Sequence, residues 1–251
     1  MSIRRVVKRL LRSVGIDVHG YTPGSSRDAQ LQAALMKFNI GVVVDIGANE
    51  GQFGSELLAA GYRGKIISIE PLVEAHSKLV HLASAHLGWS VHLPVAVGSE
   101  GGQVPFYVSA NSVSSSALRV LNASVNAAPQ SQQIETRTVS VVTVDELYRY
   151  YCLPTKGVML KIDTQGYEWA VLDGARESLR IVDLVFVELS LHELYKGQRL
   201  WLDVIQRMAV SGFEMWALQP EFVDPITGRT LQVNALFSRV DWQWAAESTA
   251  V

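Results

Sequence analysis

The chain has 251 residues, 48% of them apolar, and a net charge of −2, with a pI near 6.3. That length supports one sizeable core, and the near-neutral balance excludes a global basic field for nucleic acid. The single cysteine, Cys152, excludes an internal disulfide framework and a cysteine-rich zinc site, and fits a reducing cytoplasm.

The first predicted element is a helix. Arg4, Arg5, Lys8, Arg9 and Arg12 recur at helical spacing, and Ile3, Val6, Val7, Leu10, Leu11 and Val14 fall on the opposite face. Ser2 is placed to cap it and Gly15 to end it. Two readings follow. In the commoner one the apolar side docks on the rest of the chain. In the other the helix lies on an anionic membrane, where each basic residue near the surface contributes about 1 kcal/mol. Charges interrupt the segment up to Arg12, so it does not read as a signal peptide. No stretch of the sequence reaches the roughly 18 uncharged apolar residues of a membrane span. The expected location is cytoplasmic, with peripheral contact at the inner membrane surface under the second reading. A further helical stripe, Leu31, Ala34, Leu35 and Phe38, completes an N-terminal helical segment, residues 1–40. Residues 41–251 form one domain.

From residue 41 strand and helix periods alternate, as an α/β fold requires. Strand 42–46 leads through a turn into a helix carrying Phe53, Leu57 and Leu58, stopped by Gly61. Strand 65–70 is followed by Pro71, which opens a helix with Leu72, Ala75, Leu79, Leu82 and Ala83. A third strand spans 90–97 and ends at Gly98. Residues 103–109 read as a strand, 111–116 as a serine-rich loop and 122–133 as a mobile excursion. Strand 135–144 runs into a helix with Thr143 and Glu146 in capping-box spacing. Strand 158–163, a helix from Glu168, strand 182–189, helix 200–210 and strands 213–218 and 230–239 complete the chain. The order implies a mostly parallel, seven-stranded sheet with an antiparallel C-terminal edge hairpin.

Ligands of open α/β sheets bind beyond the carboxyl ends of the strands. There the sequence places Asp45, Glu70, Val97, Asp163 and Glu188. Buried acids must find partners, so four carboxylates at strand ends point to a functional cluster. The run Asp45-Ile46-Gly47-Ala48-Asn49-Glu50-Gly51 has one glycine in its turn. That leaves less room for a pyrophosphate than G-x-G-x-x-G does. S-adenosylmethionine, with a ribose and an amino-acid tail but no phosphate, fits better. Glu70 is placed to accept both ribose hydroxyls, and Asp45 to pin the turn and orient the methionyl amine. His192 is the one histidine at the C-terminal edge of a core strand.

The opening run, Glu70-Pro71, Ala96-Val97-Gly98 with Ser114-Ser115-Ser116 after it, residues 139–147 and Lys161-Ile162-Asp163-x-x-Gly166-Tyr167-Glu168 fall in a recognisable order. They resemble the FkbM family of S-adenosylmethionine-dependent methyltransferases over about residues 41–239. That family commonly has an acid where Gln165 stands. The resemblance implies a Rossmann-like class I methyltransferase fold and a cofactor site of Asp45, Gly47, Ala48, Asn49, Gly51, Phe53, Glu70, Pro71, Val97 and Asp163. It implies S-adenosylmethionine as cofactor, S-adenosylhomocysteine as product, and O-methylation of a hydroxyl of a sugar in a glycolipid, polysaccharide or glycosylated natural product. Asp163 or His192 is the expected base, with Glu188 orienting the acceptor or the imidazole. A divalent metal on Asp163 and Glu188 is a lesser variant, since no diagnostic ligand spacing indicates one. Rival readings are a non-sugar natural product or protein as acceptor, or a cofactor-binding module without turnover. An NAD-dependent oxidoreductase is disfavoured by the missing G-x-G-x-x-G. Residues 109–133, 191–198 and 219–230 are expected to frame the acceptor, with Tyr195, Trp201 and Trp216 as candidate stacking aromatics.

Overall fold

The computed structural model describes residues 3–16, 18 and 20–240. The chain forms two compact units, Met1–Lys37 and Phe38–Val251. The first holds α1 (Ile3–Ser13) and α2 (Arg27–Lys37). Gly15 follows α1 in the left-handed region, φ +79°, and its N–H donates to the Arg12 carbonyl at 3.1 Å. Ser26 Oγ accepts the Ala29 N–H at 3.4 Å at the start of α2. The Ser2 cap lies outside the described residues, as do the side chains of residues 3–6. Among the described residues no helix is long and apolar enough to cross a membrane.

The second unit starts with β1 (Val42–Ile46), α3 (Gln52–Ala59), β2 (Lys65–Ile69), α4 (Val73–Ala83), β3 (Trp89–Val91), β4 (Ala96–Val97) and β5 (Gly102–Ser109). It continues with α5 (Asn122–Ala127), β6 (Gln133–Val142), α6 (Val144–Tyr150), β7 (Val158–Ile162), α7 (Glu168–Asp173), β8 (Leu184–Ser190), α8 (Trp201–Val210), β9 (Phe213–Pro220) and β10 (Gln232–Arg239). Seven strands form the main sheet in the order β3-β2-β1-β7-β8-β10-β9. The first five are parallel, and β10 runs antiparallel between β8 and β9. This is the expected sheet with its antiparallel C-terminal edge. Every residue of β7 and β8 is buried, as befits parallel strands covered on both faces. Strand order reverses between β1 and β7, and a ligand crevice opens at such a switch point. The capping box at Thr143 and Glu146 is present at the start of α6.

Three local expectations need correction. The third strand does not run through residues 90–97. Pro94 has no N–H for a ladder, so β3 stops at Val91, and β4 joins β6 and β5 in a separate three-stranded sheet. Val97 therefore does not stand at an end of the main sheet; it is buried in the core with Val144 and Leu147. Residues 122–133 form α5 and a 3₁₀ turn rather than a loose excursion. The Leu121 N–H donates to the Leu194 carbonyl at 2.8 Å, and the buried Ser124 and Ser131 hydroxyls meet at 3.2 Å. Pro71 precedes α4 instead of opening it, and Leu72 is the residue at the cap.

Candidate active site

Register sets the site. Ser68, Asp45, Lys161 and Phe186 are cross-strand neighbours along β2, β1, β7 and β8. Two residues further on, on the same face of the sheet, come Glu70, Gly47, Asp163 and Glu188, because side chains repeat with period two. The first row is a charge row. Asp45 is fully buried; its Oδ2 accepts the Ser68 hydroxyl at 3.1 Å and its Oδ1 lies 3.1 Å from Lys161 Nζ. Lys161 also reaches Asp163 Oδ2 at 3.5 Å and donates to the Gly47 carbonyl at 2.9 Å. Burial alone would depress this ammonium, but Asp45 and Asp163, with Glu188, raise it above the ordinary lysine range. Phe53 stacks on Phe186 at 5.7 Å and lies under Lys161 Nζ at 5.6 Å.

The turn after β1 is saturated with its own hydrogen bonds. Gly47 and Ala48 N–H donate to the Ile69 carbonyl at 3.1 and 3.0 Å. Asn49 N–H donates to Glu70 Oε2 at 2.9 Å, Glu50 N–H to Asn49 Oδ1 at 2.8 Å, and Gly51 N–H to the Ala48 carbonyl at 2.9 Å. Gly47 has φ +76°, and a Cβ there would overlap the Asp163 carbonyl oxygen. Gly51 has φ +98°, and a Cβ there would also press on Leu79, Leu82 and Trp89. Glu70 is buried; besides Asn49, its Oε1 accepts the Leu72 N–H at 2.8 Å. Burial pushes its carboxyl up to about 7, against the Leu72 and Asn49 amides and Lys161.

Across the crevice, Gln165 is the central polar residue. It is left-handed, φ +54°, and its Nε2 donates to Asp163 Oδ1 at 2.7 Å and to Glu188 Oε2 at 2.9 Å. Its Oε1 accepts the Tyr195 hydroxyl at 2.9 Å. Asp163 remains 35% exposed through its side chain. Glu188, also bonded by the Gln232 amide, is raised well above the carboxylate range by burial and then by Asp163 and Glu168. Glu168 Oε1 accepts the Thr164 and Gly166 N–H groups at 2.9 and 3.0 Å, so it fixes the turn below Gln165. The serine-rich loop ties these parts together: Ser112 Oγ meets Asn49 Oδ1 at 3.3 Å, and the Ser114 carbonyl, 3.1 Å from the Tyr195 hydroxyl, shares that hydroxyl's one proton with Gln165 Oε1.

The structure thus brings Asp45, Gly47, Asn49, Glu70, Asp163 and Glu188 into one neighbourhood, with Ala48 buried in the turn and Phe53 beside Lys161. It does not pair His192 with Glu188. Arg229 Nη2 lies 3.3 Å from His192 Nδ1 instead. Tyr195 is 2% exposed, too buried to be a stacking platform. Trp201 packs against the core and Trp216 against Phe38. Lys161, Gln165 and Ser68 are site residues to which the sequence reading gave no role. Among the described residues no group of three or more His, Cys, Asp or Glu could hold a metal ion.

No curated protein matches this sequence. The chain is similar to the FkbM methyltransferase of Methylobacillus flagellatus KT at 13% identity and a TM-score of 0.51, over 78% of this chain and 44% of that one. The fold is shared, and the chain spans less than half the length of that structure. It is also similar to a putative RNA methyltransferase from Pyrococcus horikoshii (17% identity, 86% and 84% of the two chains, TM-score 0.44). A third likeness is to the Burkholderia thailandensis 1,6-didemethyltoxoflavin-N1-methyltransferase with bound S-adenosylhomocysteine (13%, 95% and 86%, 0.46). At those TM-scores neither of the last two carries an argument. The model of the FkbM methyltransferase domain matches residues 45–215, a span that begins at Asp45 and includes Glu70, Asp163, Gln165 and Glu188; the chain belongs to the FkbM family of S-adenosylmethionine-dependent methyltransferases.

Proposed function

We propose that the chain methylates a hydroxyl of a sugar, in a glycolipid, polysaccharide or glycosylated natural product, with Asp163 as the base. The observation that carries this reading is the Asp163 carboxylate: open to solvent, at the mouth of β7, and held in place by Lys161 and Gln165. The residues present fit the cofactor. Glu70 gives one lone pair on each oxygen to a backbone N–H and keeps another on each for a ribose hydroxyl. The N–H groups of residues 47–51 in the β1 turn are already engaged, so the turn itself offers a pyrophosphate no free amide. Pro71 is next to Glu70 in the chain, and Phe53 lies beside Lys161 and Phe186. In this reading Asp45 acts on Lys161 rather than on the cofactor, and Gly51 and Val97 serve packing.

When bound, S-adenosylmethionine supplies an electrophilic methyl group. Asp163 takes the proton of the acceptor hydroxyl, a gain of about 10²- to 10⁴-fold for a general base. Glu188, driven toward its neutral form, orients the acceptor by hydrogen bonding, and Gln165 fixes its separation from Asp163. His192 is the less available of the two candidates, because Arg229 Nη2 lies against its Nδ1. Calorimetry with S-adenosylhomocysteine and a product-release assay against glycan acceptors test the assignment. Glu70→Ala is expected to abolish binding, while Asp163→Ala keeps affinity and loses about 10²- to 10⁴-fold in turnover. Normal turnover by Asp163→Ala would remove it from the reaction. Turnover on a protein or a non-sugar product alone would move the acceptor class.

A further inference from the structure

We propose that α1 seats this protein on an anionic membrane surface. The eleven residues of α1 contain no acid. The sequence pattern puts residues 4, 5, 8, 9 and 12, all basic, on one side and the apolar residues on the other. Of the described side chains on the apolar side, Val7, Leu10 and Val14 are 47%, 64% and 69% exposed, and Leu11 is half-buried. Ile16, Val18 and Tyr21, which follow at once, are 51%, 42% and 62% exposed. Lys8 and Arg9 are exposed as well. Apolar side chains left in water mark an interaction surface, and the exposed Lys8 and Arg9 beside them favour an anionic partner. A bilayer interface offers both, acyl chains for Leu10 and Val14 and headgroup phosphates for Lys8 and Arg9. A nucleic acid would satisfy the charges and leave the leucine and valine in water. A helix of this length is too short to span, so it lies in the interface plane, with Tyr21 suited to the headgroup level. The inference does not depend on the acceptor, so its failure leaves the methyl-transfer reading untouched.

The test is co-sedimentation of the full chain with vesicles of phosphatidylcholine alone and of equal parts phosphatidylcholine and phosphatidylglycerol. Binding about tenfold or more stronger to the anionic vesicles, and weakened by salt, is expected. The double variants Leu10→Glu/Val14→Glu and Lys8→Glu/Arg9→Glu are each expected to lose about tenfold or more with an unchanged melting temperature. Equal partition into both vesicles, or none, would overturn the proposal. So would full binding by the Leu10/Val14 variant, which would reduce the contact to charge alone. A concentration-dependent dimer lost in that variant, without vesicle binding, would assign the face to a second copy and also overturn it.

Discussion

Glu70 sets the pH response at the scale of single residues. Its carboxyl is pushed by burial up to about 7, and in the role proposed for it, an acceptor for ribose hydroxyls, it works best ionised. Affinity for S-adenosylhomocysteine is therefore expected to rise as pH passes upward through about 7 and to level off above it. Glu70→Gln should bind more weakly and without that slope; calorimetry across the neutral range reads both. For folding the sign is reversed. The folded value lies above the ordinary 4.5, so the folded state holds the extra proton. Its contribution is full below about 4.5 and is lost as pH rises to about 7. Glu168, also pushed by burial to about 7, acts in the same direction. A denaturation midpoint that climbed across this window would contradict the account.

At the scale of elements, the strand ends are held in one row by contacts between backbones. Gly47 is the tightest of these, since its Cα faces the Asp163 carbonyl. Gly47→Ala combines a left-handed φ with a clash against backbone that cannot rotate aside. It should cost at least the 1–3 kcal/mol, roughly, of an overpacked core, and it should separate β1 from β7. The loss is read as a lower denaturant midpoint together with lost S-adenosylhomocysteine binding; a stable variant that still binds would refute the packing argument. The acids of this row were legible in the sequence because each ends a short, mainly apolar run of strand length. Lys161 was legible too, but only by aligning strands: Ser68, Asp45 and Lys161 each stand one residue before the last of their strand. The break at Pro94 was signalled by proline itself, yet the apolar run on both sides masked it. Gln165 and Tyr195 are 30 residues apart with no periodicity to join them. The six-residue α5 is too short to declare itself and depends on tertiary contacts such as Leu121 with Leu194.

For the whole molecule, the main sheet supplies the crevice, and the second sheet, β4-β6-β5, lies in the chain between β3 and β7. A ligand bound to the folded state alone stabilises it by mass action. S-adenosylhomocysteine at about a hundredfold its Kd adds about 2.7 kcal/mol, or roughly 5–10 °C in Tm for a domain of this size. NADH at the same concentration should leave Tm unchanged, because its pyrophosphate finds no open amides in the β1 turn. A shift with NADH and none with S-adenosylhomocysteine would reverse the choice of cofactor. That saturated turn has a kinetic consequence as well. Its five amides reach their partners during folding, so the entropy of ordering it is met before any ligand arrives. Association then involves no loop-ordering step at this turn.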